Sequence, residues 1–411
     1  MKAILLSNIP HYHHLAVALE RAGMLERYIT ANILIEDEQP SALLPLYWKR
    51  KLEGRRLRGI SKSKVRSIRF PEMLQRVLPR LHLASSERSN WINNHLFDWQ
   101  ARGYVEECDV FHFVNSVGLY CARKAKRLGA TTICDARWLH PRFHSRTIAE
   151  EYARLGLPRP ETGESYEDKN LEEIALSDYI IVPSESARRS FVQEGVSPDR
   201  LLVLPYGVEV DHFVPAPQED SVFRVLFAGT ITPGKGIHYL LEAFSRLNIP
   251  GSELVLAGTL DPAMKPILAK YEGKFTYLPT LPRLDLVKLY NRSSVFVLPS
   301  LSDSFSLATL EAMACGLPVI VSRETGIADL ISDGRQGYVV PSRDAESIRE
   351  KLHFLYETPD IRRTMGTEAS IAARRQTWDR YAEEAVGIYR RIHDSRKTMP
   401  LKSVYAAETR S

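Results

Sequence analysis

The stretch "SVFVLPSLSDSFSLATLEAMACGLPVIVS", residues 294–322, contains a complete strand–helix–strand pattern. The apolar runs at its two ends are typical of strands that are buried on both faces of a parallel sheet. Between them we expect a helix that begins near 305–307 and ends before Gly316, because Pro318 cannot continue it. A helix that joins two buried parallel strands is a βαβ unit, so this stretch predicts an α/β fold.

The same alternation of apolar runs and amphipathic segments extends along most of the chain. The predicted strands are 2–7, 109–114, 131–136, 179–184 and 201–205 in the first half, and 223–230, 253–259, 275–280, 294–300, 317–322 and 337–341 in the second. Helices are predicted at 344–357, 360–374 and 377–392, and the segment 205–220, rich in proline and acidic residues, is predicted as a linker. The pattern therefore predicts two doubly wound domains.

Composition is ordinary for a soluble globular protein, and it limits where the protein is expected to act. The chain has 411 residues, of which 44% are hydrophobic and 26% are charged, so about two domains are expected. None of the four cysteines forms a CxxC pair, which favours reduced core thiols in a cytosolic protein. The first apolar run is too short for a signal peptide, and no apolar stretch is long enough to span a membrane. We expect a cytoplasmic protein.

Positive charge is concentrated in residues 49–88. This region holds 13 Lys or Arg residues against three acidic residues, with apolar residues interspersed. Two interpretations remain open, a solvated surface insertion or a surface for an anionic acceptor or anionic lipid on the inner face of a membrane. No nucleic-acid-binding motif accompanies the charge, so no nucleic-acid partner is expected.

The stretch "GTITPGKG", residues 229–236, nearly matches a phosphate-binding P-loop. Gly229, Gly234 and Lys235 fit the pattern, but Gly236 replaces the Ser or Thr whose hydroxyl would bind Mg²⁺. The amides and dipole of the following helix, together with Lys235, favour an anionic ligand. The sequence predicts a phosphate site without a dedicated metal; a plain strand–helix turn is the alternative.

Two acidic residues, Asp303 and Glu311, flank the predicted start of the helix in 294–322. Ligands of doubly wound sheets bind beyond the carboxyl ends of the strands, where this helix begins. Its amides would form a second anion pocket, while the carboxylates accept hydrogen bonds from hydroxyls on either side of a diphosphate. The alternatives are a turn residue for Asp303 and an arginine partner for Glu311.

These segments resemble the retaining nucleotide-sugar glycosyltransferases of family 4, which carry an E-x₇-E signature. That family has the GT-B fold, in which two Rossmann-like domains face each other across a cleft. The resemblance covers most of residues 165–394, whereas the first 160 residues match only in general pattern. The matching segments are "FAGTITPGKGIHYLLEAF" (227–244), "DSFSLATLE" (303–311), "TGIADLISDGRQGYVVP" (325–341), "TWDRYAEEAVGIYRRI" (377–392) and residues 176–213.

The resemblance implies a domain division. Residues 1–205, with a basic insertion at about 41–95, would form the acceptor-side domain, and residues 206–376 the nucleotide-sugar domain. The helix 377–394 would cross back to complete the first domain, and 395–411 would be a flexible tail.

The resemblance also implies roles for individual residues. Glu311 would bind the ribose, Asp303 the transferred sugar and Lys235 the leaving diphosphate. A catalytic histidine is expected after the fourth strand, where His140 is favoured over His144; a loop histidine is the alternative. The remaining donor-binding residues would be Gly229, Thr230, Ser304, Phe305, Ser306 and Leu307.

Three positions depart from the family pattern. Asp303 replaces the usual Glu, and Thr230 replaces the usual phosphate-binding Arg. The segment "SNIPHYHH", residues 7–14, replaces a glycine-rich loop, and its histidines lack an acidic or cysteine partner that would suggest a metal site.

The implied enzyme is a metal-independent, retaining hexosyltransferase of polysaccharide or glycoconjugate biosynthesis. Its donor would be an NDP-sugar, its acceptor a glycan, a lipid-linked sugar or a small molecule, and it would need no cofactor. No D-x-D triplet is present, which argues against the metal-dependent GT-A class. The alternatives are a catalytically silent sugar-nucleotide binder, an NDP-sugar epimerase or hydrolase, and a P-loop nucleotide triphosphatase, which Gly236 disfavours.

Overall fold

A computed structural model describes residues 1–31, 33–35, 56–80, 85–158 and 164–398. These residues form two compact units. The first comprises Met1–Cys134, Glu172–Asp178 and the chain from Ala382 on, and the second comprises Asp135–Leu171 and Tyr179–Tyr381. The division differs from the predicted boundary at 205, and the predicted domains stay a prediction.

Helices and parallel strands alternate along the chain. The strands are β1 (Ala3–Ser7), β2 (Leu25–Ala31), β3 (Leu34–Ile35), β4 (Arg56–Leu57), β5 (Val65–Ile68), β6 (Val110–Val114), β7 (Thr131–Asp135), β8 (Tyr179–Val182), β9 (Leu201–Val203), β10 (Arg224–Ala228), β11 (Glu253–Ala257), β12 (Thr276–Leu278), β13 (Val295–Leu298), β14 (Val319–Ser322) and β15 (Gly337–Val340). The α-helices are α1 (Tyr12–Arg21), α2 (Phe70–Arg80), α3 (Ser86–Ala101), α4 (Leu119–Arg127), α5 (Pro141–Arg154), α6 (Glu164–Leu176), α7 (Glu185–Gln193), α8 (Ile237–Ser245), α9 (Lys265–Ala269), α10 (Arg283–Asn291), α11 (Leu307–Ala314), α12 (Ala345–Glu357), α13 (Pro359–Arg374) and α14 (Trp378–Thr398).

The predicted α/β class and all eleven predicted strands are confirmed. The order of the larger sheet is β5-β2-β1-β6-β7-β8-β9, and that of the second is β12-β11-β10-β13-β14-β15. Every residue of β1, β6, β7, β10, β13 and β14 is buried, as expected of strands covered on both faces. Short apolar runs therefore predicted these strands well.

The second sheet reverses its strand order at β10. This strand pairs in parallel with β11 on one side and with β13 on the other. The loops that follow β10 and β13 therefore leave the same edge of the sheet at the point where ligands of such sheets bind. These loops are the segments 229–236 and 299–306.

The basic region is only partly described. Residues 49–55 and 81–84 lie outside the described chain, so the insertion predicted at about 41–95 and the surface predicted at 49–88 are seen in part. The described residues include β4, β5 and α2, and β5 pairs in parallel with β2. Strands β2 to β5 were not predicted, because charged and polar residues interrupt their apolar pattern.

The last helix is longer than predicted. Helix α14 continues to Thr398, four residues into the predicted flexible tail 395–411, and residues 399–411 lie outside the described chain. Its Tyr389 hydroxyl lies 2.7 Å from the Nδ1 atom of His112 in β6.

All four cysteines are buried and free, as predicted. Across the described ranges, we find no helix with the length and apolarity needed to span a bilayer.

Candidate functional site

The two loops at the strand-order reversal meet through an ion pair. The Lys235 Nζ atom lies 2.5 Å from Asp303 Oδ2, and both side chains are largely buried. The loop before Lys235 is fixed to the end of β13, because the Leu301 amide donates to the Gly234 carbonyl at 2.9 Å and the Ser300 hydroxyl donates to it at 3.2 Å. Backbone contacts between the loops therefore hold the ion pair in place.

Gly236 permits this close approach. Its φ of +68° is left-handed, and a Cβ atom on it would lie 2.0 Å from the Pro299 carbonyl oxygen. A Ser or Thr would not fit here, which excludes the side chain that a P-loop needs for Mg²⁺. Helix α8 begins directly after this residue, and Gly229 and Thr230, earlier in the same loop, are exposed.

Asp303 is held by its neighbours as well as by Lys235. Its Oδ1 atom accepts a hydrogen bond from the Phe305 amide at 3.2 Å, and its carbonyl accepts one from the Gly326 amide at 2.9 Å. The carboxylate direction is thus set by the backbone. The interpretation of Asp303 as a turn residue and its interpretation as a site residue are both compatible with these bonds.

Helix α11 begins with an unusual residue. Ser306 has a φ of +75°, and its Oγ atom caps the helix by accepting a hydrogen bond from the Thr309 amide at 3.3 Å. A left-handed serine costs about 1–2 kcal/mol, and such strain is concentrated at functional sites. Leu307, the first residue of α11, is half-buried.

Ser304 and Phe305 anchor the loop with their side chains. The Ser304 hydroxyl donates to the Arg137 carbonyl at 2.5 Å, and the Ser304 carbonyl accepts from the Ser184 hydroxyl at 2.7 Å. The buried ring of Phe305 packs edge-to-face on Tyr206 at 5.5 Å. The side chains of both predicted donor-binding residues are therefore engaged, and only their backbone groups can contact a ligand.

Glu311 lies inside α11, with its carboxylate mostly removed from water. Burial raises its pKa to about 7, although a hydrogen bond from the Tyr290 hydroxyl, at 3.1 Å, and the charge of Arg283 act in the opposite direction. The direct partner of Glu311 is therefore a tyrosine, which the sequence did not predict. Arg283 acts on Glu311 only through its charge, so the arginine alternative is not seen as a contact.

The two candidate histidines occupy different surroundings. His140 precedes α5, its ring packs edge-to-face on Phe191 at 5.1 Å, and burial lowers its pKa. His144 lies one turn later, with its Nδ1 atom 2.6 Å from the Ser302 hydroxyl.

His144 is the histidine whose surroundings include the ion pair. Burial lowers its pKa first, the charge of Lys235 lowers it further, and the charge of Asp303 raises it. The sequence favoured His140, but Pro141, typical of a first helical position, could have indicated that His144 lies in the first turn of a helix.

A buried ionic cluster beside the site was also missed. Glu151 of α5 is fully buried and accepts hydrogen bonds from His238 Nε2 at 2.8 Å, the Tyr239 hydroxyl at 2.7 Å and Arg343 Nε at 2.8 Å. His238 and Tyr239 belong to the first turn of α8, two to three residues after Gly236. The cluster therefore fixes the start of α8 from the side of α5.

Metal ligands are not grouped in the described parts of the chain. No set of three or more His, Cys, Asp or Glu side chains there is arranged to hold an ion. The chemistry available to the site is that of an ammonium group, two carboxylates, a histidine and the backbone amides.

A family model matches the second unit. Residues 211–371 match the family described as glycosyl transferases group 1. The match includes both loops and Glu311, whereas His140 and His144 lie before the matched segment.

Curated relatives carry the same kind of name. The D-inositol 3-phosphate glycosyltransferase of Thermobifida fusca (strain YX) is 28% identical over 293 residues, covering 64% of this chain and 68% of the relative. Two further relatives of the same name, from Pseudarthrobacter chlorophenolicus and an Arthrobacter strain, are matched over about half of their own length, 49% and 48%.

Solved structures share the fold along nearly the whole chain. Sucrose-phosphate synthase from Thermosynechococcus elongatus has a TM-score of 0.65 at 20% identity, covering 96% of this chain and 100% of that chain. The fold shared with such structures is GT-B, as the sequence predicted.

Proposed function

We propose that this protein is a glycosyltransferase that moves a sugar from an NDP-sugar to an acceptor with retention of configuration, because residues 211–371 match the glycosyl transferases group 1 family. The observation that carries this proposal is the Lys235–Asp303 pair at the strand-order reversal, held by backbone bonds between two loops. A sugar diphosphate needs a cation for its leaving group and an acceptor of hydroxyl hydrogen bonds beside it, and this pair supplies both.

Lys235 is proposed to act on the leaving diphosphate. Negative charge accumulates there as the glycosidic bond breaks, and preorganised positive groups at that point are usually the largest catalytic contribution. The amides at the start of α11 would add partial positive charge. The backbone of four further residues would contact the same diphosphate: Gly229, Thr230, Ser306 and Leu307.

Asp303 and Glu311 are proposed to bind the two ends of the donor. Asp303 would accept hydrogen bonds from the transferred sugar, and Glu311, supported by Tyr290, from the ribose. Hydrogen bonds to ionised acceptors are roughly twice as strong as neutral ones, so the protonation of Glu311 would control donor affinity. The shorter Asp303 would favour a sugar that reaches further toward the loop.

A histidine is proposed to approach the reacting centre. The sequence favoured His140, but the contact of His144 with Ser302 makes His144 the stronger candidate. Its lowered pKa keeps the imidazole neutral at neutral pH, so it can accept a hydrogen bond from a sugar hydroxyl. Comparing His140→Ala with His144→Ala would identify the one that contributes to turnover.

Donor and acceptor classes are proposed from the relatives. Inositol phosphate appears in the names of the curated relatives, and a HepE protein of Anabaena, 14% identical with a TM-score of 0.65 over 95% of this chain and 100% of that chain, was solved with UDP and glucose. We propose a uridine diphosphate sugar as donor and a phosphorylated polyol or glycan as acceptor. The protein is proposed to act in the cytoplasm.

The test is acceptor-dependent release of nucleoside diphosphate. The protein is incubated with UDP-, GDP- and ADP-sugars, with and without inositol phosphate, oligosaccharide and lipid-linked acceptors, and the anomeric configuration of the product is read by NMR. Release that requires an acceptor and gives a retained product supports the proposal. Release without acceptor indicates a hydrolase, sugar isomerisation an epimerase, and binding without turnover a silent binder; each would overturn the proposal.

A further inference from the structure

The first unit contains a large surface cavity at the edge strand β5. Its volume is about 1080 Å³, and its walls come from residues 67–70, 99, 100, 102–104, 124, 127 and 128. None of these residues belongs to the site described above. We name it the β5 cavity.

Positive charge is the first property of the β5 cavity. Four of its lining side chains are basic: Arg69, Arg102, Lys124 and Arg127. Among the lining residues of this described region none is acidic. Arg102 and Arg127 are exposed, while the Lys124 ammonium donates to the Arg102 carbonyl at 3.1 Å.

Three of the four charges of the β5 cavity have no carboxylate partner among the residues that the structure describes. Within the described ranges, no carboxylate lies within ion-pair distance of Arg102, Lys124 or Arg127. Cationic side chains without carboxylate partners on one concave surface attract anions. They attract a surface that carries many anionic groups more strongly than one soluble anion.

Exposed apolar side chains are the second property. Phe70 is 54% exposed and Trp99 57% exposed, and Tyr104 and Leu128 on the same cavity are 40% and 41% exposed. Four large apolar side chains around one cavity form the kind of patch that marks an interaction site rather than a scattered surface residue. Their exposure costs solvation free energy unless a partner covers them.

A membrane with anionic lipids fits both properties. Trp and Tyr side chains are favoured at the level of lipid headgroups, and Lys or Arg side chains are attracted by anionic phosphates at the same level. A soluble anion would use the four cations but leave the aromatic side chains in water. We propose that the β5 cavity docks the protein on an anionic membrane, with lipid phosphates at the basic side chains and Trp99 in the interface.

The β5 cavity differs from the surface that the sequence suggested. Its residues 67–70 belong to the basic region 49–88, but the other walls come from the C-terminal ends of α3 and α4 and the residues that follow them. The inference does not require glycosyl transfer, because docking is measured without donor or acceptor. A protein that docks but does not transfer sugar, or the reverse, would separate the two proposals.

The first experiment measures partition of the full chain onto vesicles by flotation. Vesicles of phosphatidylcholine alone are compared with vesicles that also contain phosphatidylglycerol, at low and high salt. The wild-type protein is expected to float only with the anionic vesicles, and less so at high salt, since exposed charges are screened within about 10 Å at 0.1 M salt. Equal flotation with both vesicle types, or none with either, would overturn the proposal.

Matched double variants locate the surface. The change Arg102→Ala with Arg127→Ala should lower the partition coefficient about 30-fold, because each basic side chain near an anionic surface contributes about 1 kcal/mol. The control, Lys265→Ala with Lys270→Ala, removes two exposed charges from the second unit and should leave partition unchanged. Equal losses in the two variants would show that only net charge matters and would contradict a specific surface.

A fluorescence measurement tests the aromatic contribution. Brominated lipids in anionic vesicles should quench tryptophan emission of the wild-type protein, and Trp99→Phe should abolish most of that quenching while circular dichroism stays unchanged. Quenching that survives this change would place another tryptophan at the membrane and overturn the assignment. Displacement of the protein by free glycerol 3-phosphate would indicate a soluble phosphate ligand instead, and this result would also overturn it.

Discussion

At the residue scale, Glu311 links burial to donor binding. Its pKa of about 7 means that roughly nine-tenths of the side chain is ionised near pH 8 and about one-tenth near pH 6. If the ionised form accepts the ribose hydrogen bonds, donor affinity should fall about tenfold as the pH is lowered from 8 to 6. Calorimetric titration with nucleoside diphosphate across this range measures the effect.

The control for this prediction is Glu311→Gln. This variant should bind donor weakly at every pH, with a flat profile. It should also unfold less readily at alkaline pH, because a carboxyl whose pKa is raised by folding stabilises the fold below its unfolded pKa and loses that stabilisation as pH rises through about 7. If the donor affinity of this variant falls from pH 8 to pH 6 as it does in the wild type, a group other than Glu311 is titrating.

Lys235 has a role that kinetics can separate from binding. We expect Lys235→Ala to lower turnover about 100-fold to 1000-fold, the loss found when one preorganised group at a developing anion is removed. The loss of donor affinity should be smaller, since the α11 amides remain. Lys265→Ala, at an exposed lysine, is the control. Wild-type turnover in the Lys235→Ala variant would contradict the assigned role.

At the element scale, one glycine decides how closely the loop before α8 approaches β13. Gly236→Ala should destabilise the fold by more than the about 1–2 kcal/mol that a left-handed residue costs, because its Cβ would also lie 2.0 Å from the Pro299 carbonyl. Gly251→Ala is the matched control: its φ is +70° and nothing lies within 4 Å of the added atom. Chemical denaturation measures both.

The difference between the two glycine variants isolates the close approach. Donor affinity should fall in Gly236→Ala, because the displaced loop carries Lys235, and should be kept in Gly251→Ala. Equal destabilisation in both would show that backbone conformation alone, not contact with β13, requires the glycine.

The cluster around Glu151 joins α5 to α8. Burial alone would raise its pKa, but hydrogen bonds from His238, Arg343 and Tyr239 outweigh burial and hold the pKa at about 2. Relative to an ordinary glutamate at 4.5, this difference corresponds to about 3 kcal/mol of stability. That stability is present above pH 4.5 and is lost as pH falls toward 2.

Glu151→Gln should therefore destabilise the protein by about 3 kcal/mol at neutral pH, since it removes the buried carboxylate charge that pairs with the half-buried Arg343 at 2.8 Å. The neighbouring Glu150, which is mostly exposed, is the control, and Glu150→Gln should change stability by less than about 0.5 kcal/mol. Urea denaturation at neutral and acidic pH tests both, and the gap between the Glu151→Gln variant and the wild type should narrow in acid. If the stability difference between the Glu151→Gln variant and the wild type does not change with pH, lost packing rather than lost charge accounts for it.

At the scale of the whole molecule, catalysis is expected without a metal. Turnover in EDTA should equal turnover with Mn²⁺ or Mg²⁺, because Lys235 and helix amides are proposed to replace the cation that other transferases hold beside the diphosphate. The assay is the acceptor-dependent release described above, run on dialysed protein. Loss of activity in EDTA, restored by one divalent ion, would contradict this expectation.

Much of the fold was predictable because a strand that is buried on both faces consists mostly of consecutive apolar residues. The strands β10, β13 and β14 are apolar throughout most of their length, and the start and end of α11 follow from local residues, so a short window predicts them. The strands β2 and β5 were missed because their burial comes from partners distant in sequence, and charged residues such as Arg27 and Arg66 interrupt their apolar pattern.

The sequence by itself determined the two parallel sheets, the loop–helix segments after β10 and β13, and the residue types available for binding a sugar diphosphate. The tertiary structure alone decided which of these residues meet. It joined Lys235 to Asp303, gave Glu311 a tyrosine partner, placed His144 rather than His140 beside the pair, and assembled the β5 cavity from three separate segments. The reason is physical: secondary structure follows from the apolar pattern of neighbouring residues, whereas ion pairs, desolvation and cavities depend on side chains that only the folded chain brings together.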